Sequence, residues 1–343
     1  MIVCRPFRKS DRTTWDHFVH THPMGSPFHL MAWRDILREN FSYKPKYRVA
    51  VENDRIVGIL PLFLVENIVT GSVLISTPFA VYGGILAASE AAHEALKGHV
   101  REMADRLDVQ YLDLRNRFEN QCINAEPVDR YATFTRAVGP SDQESLLAAL
   151  PQKTRNLVRK ALKFPFQMRA AQDLDTFYEL LLRTYRRLGT PAFPRVFFQS
   201  IVRNFGGMVD IREVWLEGRA VAASLNFLFR EQMHTYYAAS ADDAWAMGPN
   251  NYMYFEHLLW AGNHGFRVFD FGRSKKGTGP YSFKKHFGAT EHPLPYEVLL
   301  VKRLDMPNFS PTNPNFDLAV KVWRKIPLPV TKILGPQLIG LFP

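Results

Sequence analysis

Between Val268 and Ala289 the sequence runs VFDFGRSKKGTGPYSFKKHFGA, with four glycines and five Lys/Arg side chains directly behind an apolar, strand-like start. Glycine lets backbone amides approach a ligand closely, and Arg273, Lys275, Lys276, Lys284 and Lys285 would neutralise one that is negatively charged. Proline favours the first helical turn and Thr278 or Gly279 can cap it, so a short helix is expected from Pro280. Its free N–H groups and positive dipole end would face Gly277 and Gly279, a setting for a phosphate or a developing oxyanion. Lys284 falls one turn in and reads as a surface lysine on the same helical face as Tyr281. Candidate proton acceptors nearby in the fold are Asp270, His234, Tyr236 and Tyr237, and spacing singles out none of them. The alternative is a surface turn whose lysines are only solvated.

Other motifs fall away. Asp270-Phe271-Gly272 matches the metal-binding tripeptide of kinases, but no HRD loop, Gly-rich ATP loop or VAIK strand accompanies it. GxxxxGK[ST] is absent, and with it the P-loop. No GxSxG supports a Ser-His-Asp hydrolase among the 11 histidines. The only cysteines are Cys4 and Cys122, with no CxxC, so a metal site is not expected and a reducing cytoplasm fits.

The elements that must position these residues repeat. Tyr47–Val65 and Ile211–Phe229 each read as a hairpin, turning at Asn53-Asp54 and at Glu217-Gly218, with Arg55 and Arg219 just beyond. Each is followed by a further strand, an amphipathic helix (near Glu90–Leu107 and Asn251–Asn263) and a strand carrying an acid between apolar residues (YLDL, VFDF). The chain looks duplicated. Between the halves, LLAALPQKTRNLVRKALKFPF reads as a basic helix ended by Pro165, with Arg155, Arg159 and Lys163 in one row. That row is either a solvated face or, through Arg159, part of the anion site. After Met306 a Pro/Asn-rich linker leads into LAVKVWRKIPLPVTKILGPQLIGLFP, which has cations and large apolar residues but no acid. It reads either as packed on the second half or as an anchor for an anionic leaflet.

With 343 residues, 46% hydrophobic, the chain can bury two cores. A net charge of +10 favours an anionic partner without choosing it. Nucleic acid is suggested by charge alone, without aromatic and basic residues interleaved on one strand face. The N-terminus has charges where a signal peptide needs its apolar stretch, and IVGILPLFLV is too short to span a bilayer.

The segments FDFGRSKKGTGPYSFKKHFGA, TPFAVYGGILA and LPQKTRNLVRKA together resemble the FemAB family of acyl and peptidyl transferases, most closely its branch beside exosortase and exopolysaccharide gene clusters. The resemblance covers most of the chain. It implies an α/β (α+β) fold of two tandem GNAT-like domains, mixed sheets flanked by helices, in agreement with the duplication. It implies transfer of an acyl or aminoacyl group to an amine of a phosphate-bearing precursor, with Lys284 near the transferred group. It places acceptor contacts at Trp33 and Arg34 or Arg38 of SPFHLMAWRDILREN, and at Tyr82 and Gly83. Where CoA-using relatives carry a Q/RxxGxG/A loop, this chain has DDAWAMGPNNYMYF, so Gly248, Asn250 and Asn251 would have to receive the donor. No long Lys-rich helical hairpin for tRNA is evident.

The expectation is therefore an N-acyltransferase with domains at 1–136 and 137–306 and a linker and tail at 307–343. Lys284, Asp270 and Tyr236 are its candidate catalytic residues. Trp33, Arg34, Arg38, Tyr82, Gly83, Arg159, Arg273, Lys275, Gly277, Thr278, Gly279 and Tyr281 are candidate substrate contacts. The donor is acyl-CoA or aminoacyl-tRNA. The acceptor is a phosphate-bearing small molecule or lipid-linked precursor of an exopolysaccharide or cell envelope, and no DNA partner is expected. A cytoplasmic chain, peripheral at the inner face of the membrane, would meet such an acceptor. Two alternatives stand beside this: an aminoacyl-tRNA-dependent peptidyltransferase of peptidoglycan type, and a non-catalytic module that binds a glycan intermediate.

Overall fold

The computed structural model describes residues 1–117, 126–308 and 316–343. Cys122 and most of the linker after Met306 lie outside the described residues. The chain forms two compact units, one of residues 1–130, 293–309 and 338–343, the other of 131–292 and 310–337. This differs from a division in sequence order. A boundary at 136 would cut a strand, Tyr131–Ala137, that pairs along its whole length inside the second unit. Strand Tyr296–Leu300 returns to the first unit because its backbone pairs with Tyr111–Leu114.

In the first unit, β1 (Arg48–Glu52) and β2 (Arg55–Leu60) form the expected hairpin. Asn53 and Asp54 turn it with φ of +48° and +59°, the two left-handed residues that suit the twist of a tight hairpin. The apolar run continues past Pro61 but not as one strand. Proline offers no ladder donor, so the chain leaves this sheet and starts β3 (Phe63–Asn67) in another. There β3 pairs with β4 (Gly71–Ser76), and α1 (Glu90–Arg106) carries the chain over to β5 (Tyr111–Leu114), parallel to β4 through three residue pairs. Ser89 caps α1 by accepting from Ala92 N. Leu96, Val100 and Met103 of α1 join Ala50, Leu60, Leu74 and Leu112 in one buried core.

The second unit is built on one seven-stranded sheet. In chain order the elements that position the site are β6 (Tyr131–Ala137), α2 (Gln152–Ala161), α3 (Asp175–Leu188), the hairpin of β7 (Val209–Leu216) and β8 (Arg219–Phe229), β9 (Gln232–Ser240), α4 (Pro249–Asn263), β10 (Val268–Lys275) and α5 (Gly279–His286), with the strands Gln167–Ala170 and Thr290–Pro293 completing the sheet at its edges. Glu217 and Gly218 turn the hairpin at φ of +49° and +83°. β9, α4 and β10 repeat the strand–helix–parallel strand order of β4, α1 and β5, so the duplication read from the sequence is present in the topology. The tail forms α6 (Asp317–Lys325) and α7 (Leu328–Ile339). Trp323 and Thr331 are buried, Arg186 Nε donates to Ile326 O at 2.6 Å, and Lys332 pairs with Glu179 at 2.9 Å. Both helices are thus folded against the second unit. Among the described residues no helix is long and apolar enough to cross a membrane.

Candidate active site

β9 and β10 run parallel, but their ladder holds only for Gln232↔Val268, Met233↔Phe269 and His234↔Asp270. Past His234 the strands part and form no further β9–β10 pair. A bulge sits on each side of the split. The β8–β9 register skips Tyr236, and the β6–β10 register skips Phe271. Bulges re-aim side chains and commonly flank reactive sites.

The FDFGRS segment builds the second bulge by its own chemistry. Gly272 takes φ of +75°, and a Cβ there would lie 2.9 Å from His234 Nε2, so only glycine fits. Asp270 is fully buried and braces the turn. It accepts from Gly272 N at 2.7 Å, Thr133 Oγ1 at 3.2 Å and Gln232 Nε2 at 3.3 Å, and His234 Nε2 lies 3.9 Å away. A carboxylate engaged by three donors inside the sheet is a brace for the bulge.

Lys284 corrects the sequence reading most. It is 8% exposed rather than on the surface, because α5 lays it against β10, where Nζ donates to Gly272 O and Arg273 O at 2.9 Å each. Burial pushes its ammonium down to about 7, with Asp270 opposing and Arg273 adding to the shift. It is an amine poised near neutrality that also holds the bulge shut. Lys285, its neighbour, points out and lies 3.7 Å from Glu291.

α5 starts at Gly279, one residue before the expected Pro280, with Thr278 as N-cap. Thr278 Oγ1 donates to Lys275 O at 2.7 Å and closes the turn in which Gly277 has φ of +76°. Its far end is clamped by Thr154 of α2, which donates to His286 O, and by Arg136 Nη1 on Phe287 O at 2.5 Å. Gly288, at φ of +71°, brings its backbone against Pro151. The LPQKTR and FKKHFG motifs are therefore two halves of one packing contact. Around this frame Arg273 is exposed with its guanidinium 4.7 Å from the Tyr131 ring, Lys275 and Lys276 are half-buried, and Tyr281 meets Phe134 edge-on at 5.1 Å. Arg159 is exposed on α2.

Of the four candidate proton acceptors, Asp270, His234 and Tyr237 are buried, whereas Tyr236 is half-buried at its bulge, edge-on to His234 at 5.2 Å. Tyr236 is thus the least buried of the four. A Ser–His pair does occur, Ser224 Oγ to His257 Nε2 at 2.7 Å, but both are wholly buried and burial pushes His257 down to about 3. It is a core hydrogen bond. The loop before α4 carries Asp242 and Asp243, paired to Arg187 and Arg219, then Gly248 at φ of +79° and Pro249, which has no N–H to offer. Asn250 Nδ2 and Trp245 Nε1 both donate to Ser240 Oγ, and Asn251 is half-buried.

In the first unit the structure brings Trp33, Tyr82 and Gly83 together. Phe28 lies between the Trp33 and Tyr82 rings at 5.0 and 6.3 Å, Trp33 Nε1 donates to Pro78 O, and a Cβ on Gly83 would meet Ser76 O at 2.5 Å. Trp33 and Tyr82 are buried, so they shape this region rather than line its surface. Arg34 is half-buried against Phe7, Tyr47 and Asp35, and Arg38 is exposed. Beside them, at Gly84, opens a cavity of about 330 Å³ whose polar lining includes His22, His93, Lys97 and Arg117, with Arg117 4.7 Å from the Tyr82 ring. These residues are spread over three segments and gave no sequence signal. Glu90, His93 and Glu94 bring their ligand atoms within 4.8 Å on exposed α1, where Lys97 already pairs with Glu94.

A parallel pair that parts past His234, with a bulge on each side and a helix behind it, frames the site. Residues 148–285 match the acetyltransferase (GNAT) domain family, and the fold of the chain is like that of FemX and of tandem GNAT proteins. FemX superposes over 93% of this chain and 100% of its own with a TM-score of 0.62 at 14% identity. The C-terminal domain of a lysylphosphatidylglycerol synthetase from Agrobacterium fabrum covers 91% and 94% with a TM-score of 0.55 at 10% identity. A tandem GNAT protein from the clavulanic acid biosynthesis pathway covers 89% and 100% with a TM-score of 0.54 at 12% identity. No curated protein matches the chain in sequence.

Proposed function

We propose that the chain transfers an acyl or aminoacyl group to an amino group on a phosphate-linked sugar or peptide precursor of an exopolysaccharide or cell envelope. The observation that carries this is the split between β9 and β10, with half-buried Tyr236 at one bulge and Lys284 holding the other. In the step itself the amine nitrogen bonds to the acyl carbon, the bond to the donor's oxygen or sulfur breaks, and the amine's proton leaves as the leaving group gains one. In this reading the β9 backbone past its last pair with β10, His234↔Asp270, receives the oxyanion, and Tyr236 is the group that exchanges the proton. Arg273, Lys275 and Lys276 beside the start of α5 suit an acceptor phosphate. The pathway rests on the resemblance to the exosortase-associated branch.

The donor reading favours aminoacyl-tRNA over acyl-CoA, because the turn into α4 has a single glycine, Gly248, followed by Pro249, which offers no N–H to a CoA diphosphate. A mass-spectrometric screen of the purified protein for bound or turned-over donors, acyl-CoA against charged tRNA, tests the reading. Turnover of acyl-CoA alone would refute the donor assignment. Binding of a nucleotide-linked amino sugar with no turnover of either donor would refute transfer.

A further inference from the structure

We propose that the outward faces of α6 and α7 seat the protein on an anionic lipid surface, independently of the reaction assigned above. α7 is built inside out. Its buried stripe holds Thr331, Gly335 and, at its end, Ile339, and the first two are small enough for the helix to approach Ala192 so closely that a Cβ on Gly335 would lie 2.9 Å from Ala192 N. Val330, Ile333 and Leu334, spaced three and four apart, face solvent instead, with Ile333 67% exposed. α6 repeats the arrangement. Trp323 is buried, while Leu318, at 75% exposure, and Val322 point outward. A helix that only had to pack would turn these side chains inward.

Charge selects the occupant. No acidic side chain occurs from Leu318 to Pro343, and Lys321 and Lys325 follow the two exposed apolar residues of α6 at helical spacing on the same exposed face. Where the two helices join, a cavity of about 570 Å³ is lined by Arg183, Arg186, Arg187 and Arg324 together with Leu328. Its two carboxylates, Asp242 and Asp243, are paired with Arg187 and Arg219. A second copy of this chain docked on the same face would set Lys321 and Lys325 against themselves, which disfavours self-association. An anionic bilayer offers both complements at once, acyl chains for the apolar row and headgroup phosphates for the cations and the arginine-lined cavity.

The test is co-sedimentation of the full-length protein with phosphatidylglycerol-containing vesicles and with pure phosphatidylcholine vesicles. Two variants change only exposed side chains: Ile333→Ser with Leu334→Ser, and Lys321→Glu with Lys325→Glu. The wild type is expected to pellet with the anionic vesicles only, and each variant to lose binding on the order of tenfold with unchanged melting. Equal binding of wild type and both variants, or no binding at all, overturns the proposal. So does a dimer seen by light scattering that Ile333→Ser with Leu334→Ser dissociates, which would assign the face to a second copy.

Discussion

Replacing Lys284 with Met keeps most of the side-chain volume and removes the amine. Two hydrogen bonds to Gly272 O and Arg273 O are lost. A bond from a charged donor contributes about 1.5–3 kcal/mol, and a buried acceptor left alone costs about 1–3 kcal/mol. Relief of the desolvated amine offsets part of this. The net expectation is a loss of about 2–4 kcal/mol at neutral pH, or roughly 5–15 °C in the melting of a unit this size. The pH dependence gives a second handle. Folded Lys284 titrates near 7 against an ordinary 10.5, so between those values the unfolded chain holds a proton that the folded chain has released. Its contribution to stability is therefore flat below 7 and rises above it, by about 1.4 kcal/mol per pH unit. Thermal and urea unfolding of wild type and Lys284→Met across this range should show a gap that widens as pH rises. A variant that melts with the wild type, or a gap that narrows with pH, would refute the assignment of the amine to the buried bulge.

Lys285→Ala is the control and should change stability by no more than about 0.5 kcal/mol, since its side chain is 63% exposed. Asp270→Asn should lower the melting temperature because its amide repels Gly272 N–H or loses another donor; unchanged melting would mean that the bulge needs no brace. Tyr236→Phe should cut turnover about 100-fold or more with stability unchanged, and a mild effect would remove Tyr236 from proton transfer. Acetyl-CoA should bind only weakly by calorimetry, since Pro249 leaves the start of α4 without its first N–H; tight binding by the wild type would show that this turn is no barrier.

What the sequence disclosed was local. Asn53-Asp54 and Glu217-Gly218 need left-handed backbone whatever surrounds them, and the Ser89-capped helix before YLDL is amphipathic by itself, so hairpins, helices and the duplication could be read directly. The FDFGRSKKGTG segment was visible as unusual, but its carbonyls become acceptors for Lys284 only after Phe271 bulges out of register with β6. A lysine in a basic octapeptide reads as solvated for that reason. Pro61 moving the chain from one sheet to another, and residues 293–309 returning to the first unit, depend on pairing partners far away in sequence. The arginines of α3 gave no sequence signal, because the cavity around them is completed only by α6 and α7. The same packing rules out a clean tail deletion, since it would strip Trp323, Thr331 and Ile339 from buried positions.

The central claim is that this chain moves an acyl group onto an amine, and product formation tests it most directly. Full-length protein would be incubated with a nucleotide-linked amino sugar and either charged tRNA or acetyl-CoA, and the acceptor examined by mass spectrometry. A new amide on the acceptor is expected, formed with charged tRNA and suppressed in Tyr236→Phe. An acceptor that binds yet gains no acyl mass from either donor would contradict transfer and leave recognition of the glycan intermediate as the activity.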